Sequence, residues 1–225
     1  MKKYLVFLAA ALLQAGAWAV TYTYTGPTYN AADITNFSSC PGGAGDCGAY
    51  THAMAQGGSL TTIAPLSGNL NGADISALVT SFSFFDGLTT FASNDPQVTL
   101  IGVEATTTGG VLQIIFNVQR WQTPAPHLQG DHFDGMVTMN SGSIHNFVCT
   151  GGPQQNPQGQ TRCQAGAGID GYASWVNPAP GGTWAVTGLP PVASTAVPTL
   201  GEWGLLLLAS LMLGASWMAV GRRRI

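Results

Sequence analysis

Between residues 20 and 187 no run of ten residues keeps a helical period. Short stretches with a period of two recur instead, separated by Gly, Pro, Asn and Asp. This pattern leaves the β-sheet as the regular structure able to bury the apolar side chains. Thirty Gly and thirteen Pro in 225 residues supply the turns.

Individual strands follow from alternation. Residues 21–25 read Thr-Tyr-Thr-Tyr-Thr and stop at Gly26-Pro27, a turn signal. Residues 59–66 are a second candidate. Residues 78–85 place Phe82 and Phe84 on one face and end at Asp86-Gly87. Within 97–106, strict alternation puts Val98, Leu100 and Gly102 on one face and Ile101 and Val103 on the other. Gly109-Gly110 fits a tight hairpin turn, and 111–121 returns as a long strand. Its continuous apolar stretch predicts burial on both faces at its centre. Further strands are expected at 133–139, 143–149, 171–176 and 183–186, with Asn140-Ser141-Gly142 as a turn and Asp134-Gly135 as a bulge or bend. The expected fold is all-β, a single antiparallel β-sandwich with the jelly roll as a candidate topology.

The two ends read as addresses. Residues 1–19 have the plan of a signal peptide, with Lys2 and Lys3 ahead of an apolar run and Ala17-Trp18-Ala19 as an A-x-A site. Cleavage by signal peptidase is expected after Ala19, leaving Val20 first. Residues 203–221 are nineteen positions without a charge, followed by Arg222, Arg223 and Arg224. As a helix this run spans about 28 Å, close to the hydrocarbon core of a bilayer. The basic cluster is expected to stay cytoplasmic, which puts residues 20–187 outside the inner membrane. Residues 188–196 form a Pro-rich linker between the β-sandwich domain (20–187) and the tail (197–225).

Ahead of the apolar span stand Val197, Pro198, Thr199 and Leu200, then Trp203 and Gly204. This arrangement resembles the IPTL-CTERM tail of bacterial surface proteins, with Val197 in place of the usual Ile. The resemblance covers residues 197–225. It implies an exosortase-type membrane protease or transpeptidase as a partner. It also implies an inner-membrane-inserted precursor that moves on to periplasm, cell surface or extracellular space. A permanently membrane-anchored periplasmic protein is the alternative. Pro198 holds the preceding chain extended, and Trp203 suits the membrane interface.

Charge narrows the partners of the middle section. It carries nine carboxylates against Arg120 and Arg162, with no Lys. Such a surface is repelled by phosphate backbones, which argues against nucleic acid. Four Cys in an exported section predict disulfides. Three pairings are open, and local spacing favours Cys40–Cys47 and Cys149–Cys163.

The candidate chemistry is sparse. His127, Asp131, His132 and Asp134 fall within eight positions and form the one metal-like group, better suited to Ca²⁺ than Zn²⁺. On a strand His132 and Asp134 share a face. No G-x-S-x-G elbow is present, and Glu104 is the lone Glu of the domain, so a secreted hydrolase would need an unmarked site. Trp121, Trp175 and Trp184, with Tyr22, Tyr24 and Tyr172, would form a sugar-binding platform if exposed together. The sequence therefore reads as a non-enzymatic structural or matrix protein of the cell envelope, with no cofactor. A glycan-binding or adhesion module contacting extracellular polysaccharide is the alternative.

Overall fold

The computed structural model describes residues 18–40, 45–139, 141–156, 159–169, 171–177 and 181–188. The expected signal peptide up to Ala17, the linker beyond Gly188, the tail from Val197 to Ile225 and Asn140 lie outside the described residues. Among the described residues no helix is long and apolar enough to cross a membrane.

The strands are β1 (Val20–Thr28), β2 (Ile34–Thr35), β3 (Ala55–Thr62), β4 (Ala73–Asp74), β5 (Val79–Phe85), β6 (Thr90–Ala92), β7 (Val98–Thr106) and β8 (Gln113–Trp121). They continue with β9 (His132–Val137), β10 (Gly142–Cys149), β11 (Pro153–Gln155), β12 (Thr161–Cys163), β13 (Gly166–Ala167), β14 (Ser174–Val176) and β15 (Thr183–Thr187). One sheet runs β15-β1-β3-β5-β6; the second runs β2-β14-β10-β9-β8-β7-β4, with β13 also on β10. Every pairing between these strands is antiparallel. Strands β7 to β10 lie side by side in chain order. That meander rules out the jelly-roll topology, in which successive strands cross between sheets.

Alternation builds the core between the two sheets. Tyr22, Tyr24, Leu60, Phe84 and Phe91 from the first sheet meet Val103, Ile114, Phe116, Val118 and Met136 from the second. Phe84 stacks on Phe116 across the gap, with ring centroids 4.1 Å apart. Phe82 leans on the same cluster, so Phe82 and Phe84 do share the inward face.

The sequence expectations fail where a bulge changes phase. Strand β7 slips between Leu100 and Gly102 against β8. The extra residue turns Val98, Leu100, Val103 and Ala105 all toward the core, which strict alternation forbids. Gly26-Pro27 is likewise no turn: β1 runs through it with a register shift between Thr25 and Thr28. The irregularity expected at Asp134-Gly135 sits on the partner strand, between Ile144 and Phe147 of β10. Strand β3 begins earlier than expected and ends at Thr62, and Ile63 beyond it is 50% exposed. In β8, Ile115 is 42% exposed between buried Ile114 and Phe116, so the centre of that strand is covered on one side.

Two features cover what the sandwich leaves open. The β11–β12 hairpin lies on the outer side of the second sheet. There Trp121, Phe133 and the Cys149–Cys163 disulfide form a small core. Trp121 Nε1 donates to the Thr161 carbonyl at 2.7 Å, and Cys163 N–H donates to Gln119 Oε1 at 2.9 Å. The Cys40–Cys47 disulfide closes the other loop. By chain entropy alone such closures are worth about 2.5 to 3 kcal/mol each.

The outer side of the first sheet is different. Its register aligns Thr187, Thr21 and Thr61 with Ser81 in one row. A second row holds Ala185, Thr23, Ser59 and Ser83. The third holds Thr183, Thr25, Gly57 and Phe85. These are the positions left facing out when Tyr22, Tyr24, Leu60 and Phe84 turn in.

Candidate functional site

Polar side chains gather at one end of the sandwich, where the turn after β5 meets β9, the bulge of β10 and the Cys40–Cys47 loop. The turn is built by Asp86, which is fully buried. Its Oδ1 accepts the N–H groups of Leu88 (2.9 Å) and Thr89 (2.7 Å), the local pattern of Asp in a turn. Its Oδ2 accepts the Tyr50 hydroxyl at 2.7 Å, and its carbonyl accepts the Tyr29 hydroxyl at 2.6 Å. Burial pushes the Asp86 pKa up against these hydrogen bonds. Burial, then the Asp86 charge, pushes the Tyr50 hydroxyl well above its ordinary value.

Beside it lies an Asp–His pair. Asp134 Oδ1 is 3.0 Å from His145 Nδ1 and accepts Gln122 Nε2 at 2.8 Å and the Asn146 N–H at 3.0 Å. Asp134 Oδ2 accepts the Thr89 hydroxyl at 3.0 Å. Burial would raise the Asp134 pKa, but the hydrogen bond and charge of His145, then Asn146 and Gln122, bring it below the usual carboxylate value. Burial would lower the His145 pKa, but Asp134 beside it, with Asp86 and Asp46 farther off, raises it. Both directions favour an imidazolium–carboxylate pair. Asn146 sits in the left-handed region (φ 60°), which Asn tolerates better than most residues, and this is what makes the β10 bulge.

The loop closed by Cys40 and Cys47 is clasped onto this cluster. Asp46 N–H donates to Gln122 Oε1 at 2.8 Å, and Asn146 Nδ2 reaches Cys47 Sγ at 3.5 Å. A cleft of about 510 Å³ opens above, lined by Asp46, Thr89, Arg120 and Gln122 with Asp134 and His145 at its floor.

An oriented imidazole is half of an acid–base device. The other half is a nucleophile or water at Nε2. His145 Nε2 is buried without a hydrogen bond among the described residues. It faces Gly48, where an added Cβ would lie 2.9 Å from it. Thr89 touches the Nδ1 side instead, at 3.3 Å. The arrangement ties the turn after β5, the end of β8, β9 and the bulge of β10 to one another.

The metal candidates disperse. His127 stacks on Trp121 with centroids 4.3 Å apart, and burial lowers its pKa. Asp131 Oδ2 accepts the Leu128 N–H at 2.8 Å and closes a turn. His132 pairs across to Val148 in the sheet. Asp134 is saturated by the four donors above. Among the described residues no three His, Cys, Asp or Glu side chains converge on a cation position. None of the six aromatics of the conditional sugar platform is exposed; Tyr172, Trp175 and Trp184 are half-buried. Trp121, Tyr22 and Tyr24 are buried because they fill the core and the space under the hairpin. Trp175 packs edge-on to Phe147, and Trp184 packs on Tyr24.

His145, Asp86, Tyr50 and Gln122 carry the cluster, and the sequence reading passed over them. Asp86-Gly87 was legible as a turn. The contacts of His145 depend on a bulge that alternation does not reveal.

Residues 195–224 match the model of a family described as IPTL-CTERM motif. The tail carries an IPTL-CTERM motif. The match begins at Thr195, two positions inside the linker as read from the sequence, and takes in Val197, Pro198, Thr199, Leu200, Trp203 and Gly204. No curated protein and no solved structure matches the chain. The IPTL-CTERM motif marks a C-terminal sorting signal on an exported protein and implies processing by an exosortase-type enzyme at the membrane. With two disulfides in the β domain, it points to export to the cell envelope or surface.

Proposed function

We propose that this protein is an exported precursor whose IPTL-CTERM tail is cut off at the membrane and whose β domain is delivered as a non-enzymatic structural component of the envelope or extracellular matrix. The observation that carries this reading is the tail match at residues 195–224, standing behind a disulfide-stapled β domain. In this reading signal peptidase removes residues 1–19 and Val20 becomes the first residue. Residues 203–221 cross the inner membrane as a helix, and Arg222, Arg223 and Arg224 hold its end in the cytoplasm. The exosortase-type enzyme then cuts near Val197 to Trp203. A structural role for the domain is supported by the way its polar cluster is spent: Asp134, Asp86 and Gln122 are saturated by internal donors and acceptors.

Intact-mass measurement of the protein from each cell fraction tests this. A mature chain that starts at Val20, ends within residues 195–204 and is recovered outside the inner membrane is the expected result. A chain that still ends at Ile225 and stays in the inner membrane refutes it.

A further inference from the structure

The outward rows of the first sheet contain Thr, Ser, Ala, Gly and Phe, and no residue in them is charged. Along a strand the outward positions repeat every ~6.8 Å, and neighbouring strands lie ~4.8 Å apart. The face is therefore a lattice of hydroxyl groups, each a donor and an acceptor. Thr21 and Thr61 already touch, Oγ1 to Oγ1, at 3.1 Å.

The lattice is interrupted at Ala185 on its edge, and more widely between β3 and β5. Gly57 and Phe85 are directly paired across β3 and β5. Around them is an open hollow of about 460 Å³, bordered also by Thr25 and Ser83. Phe85 is 47% exposed, the one large apolar side chain in the three rows. Two glycines stand side by side here for different reasons. Gly58 has φ 152°, and a Cβ there would lie 2.4 Å from the Ser83 carbonyl oxygen, so the backbone demands Gly. At Gly57 an added Cβ would meet only the Tyr24 carbonyl oxygen, at 3.7 Å, an ordinary contact. Neither packing nor backbone geometry requires Gly57. Its missing side chain does one visible thing, which is to leave the floor of the hollow open beside an exposed ring.

We propose that this face docks a neutral polysaccharide, with one sugar seated over Gly57 against the Phe85 ring. The proposal deepens the reading of the domain as an envelope or matrix component and rests on it. The chemistry selects the partner. A polyanion or an anionic membrane would need cations, and the three rows hold none. A second copy of the chain would need apolar surface to bury, and Phe85 is the one large apolar side chain available. A neutral polysaccharide presents hydroxyls to the Thr and Ser rows and a C–H face to the ring, whose π-face is weakly negative.

Protein purified from the envelope, in a detergent without a sugar headgroup, is passed over the host's own insoluble extracellular polysaccharide. Microcrystalline cellulose, chitin and the polyanion alginate are run in parallel. Retention on a neutral polymer is expected, and it persists at about 0.5 M salt, where charge attraction is screened. Gly57→Val fills the floor and Phe85→Ala removes the wall; each is expected to weaken retention about tenfold. Ile115→Ala, on the other sheet, keeps it. Circular dichroism of each variant checks that the sheet is intact, and Gly57→Val is the variant with room for its Cβ.

Equal retention of Gly57→Val and the parent overturns the proposal. So does retention on alginate alone, or on nothing. A concentration-dependent dimer that Gly57→Val dissolves assigns the face to a second copy and also overturns it. Failure of the sorting reading looks different: the intact mass of the same preparation ends at Ile225 while retention is unchanged.

Discussion

Replacing Asp134 with Ala tests the buried cluster most directly. Asp134 is 1% exposed and is the shared acceptor for His145, Gln122, Asn146 and Thr89. Removing it strands an imidazolium and three donors at once. Breaking one side of a buried, hydrogen-bonded charge pair costs about 3–5 kcal/mol, and the four contacts are lost together rather than additively. Urea unfolding of the oxidised protein, followed by Trp fluorescence, reads the loss. The pH profile gives the sharper check. His145 has a raised folded pKa, so its contribution is complete below its unfolded value of about 6.5 and is lost as pH climbs through the folded one. Asp134 has a lowered folded pKa, so its contribution is complete above its unfolded value of about 3.9 and is lost as pH falls through the folded one. The pair therefore stabilises fully between about pH 4 and 6.5. Asp86 works against it on the acid side. Its raised pKa gives stability below about pH 3.9 that fades as pH rises through its folded value. In Asp134→Ala the fall in stability above about pH 6.5 disappears, because the buried imidazole no longer gains from being charged. Parallel stability slopes for parent and variant between about pH 6 and 9 would refute the ion-pair account.

Three further outcomes follow from the packing and the tail. Phe116→Ala opens the inter-sheet core where Phe116 stacks on Phe84 and is expected to cost about 3–5 kcal/mol, read by thermal melting. Replacing Cys149 and Cys163 with Ser together should cost about 3 kcal/mol, and limited proteolysis should cut first in the 153–163 hairpin, which is then held to the sheet by hydrogen bonds from Trp121, Thr99 and Gln119 without a covalent tie. Pro198→Ala with Trp203→Ala should leave the tail uncut, so the intact mass of the envelope protein includes the IPTL-CTERM segment.

Much of this molecule was legible because its signals are local. The inward Phe82 and Phe84, the turn at Asp86-Gly87 and the two disulfide loops each depend on a few neighbouring residues. The IPTL-CTERM tail was legible for the same reason. The errors arose where one extra residue is absorbed into a strand. The β7 bulge at Ile101 moves Val103 to the core side, and the β1 irregularity at Gly26-Pro27 carries the strand past an apparent stop. A period of two cannot report its own interruption. The polar cluster was hidden more deeply. His145 meets Asp134 because β10 bulges at Asn146, and Asp134 meets Thr89 because two sheets face each other. Both contacts exist only after the chain has closed on itself. The dispersal of His127, Asp131, His132 and Asp134 is the same lesson reversed. Closeness along the chain brought them into one short segment, but His127 stacks on Trp121, Asp131 closes a turn, and Asp134 is taken up by His145, Gln122, Asn146 and Thr89, although His132 and Asp134 share a face of β9.

The pairing of Thr21 with Thr187 joins the first long strand of the domain to its last. For a chain that leaves the cell N-terminus first, this sets an order of events. Strand β1 emerges early and can lie on β3, but its other edge stays bare until almost the whole domain has crossed. During that interval the first sheet has an open, uncharged edge, the kind of template that invites wrong partners. Strand β15 closes it, and β15 is the segment next to the linker. The residues that seal the sheet are thus the last strand of the domain to be released, so in the proposed export route the first sheet is completed just before the linker and the tail follow.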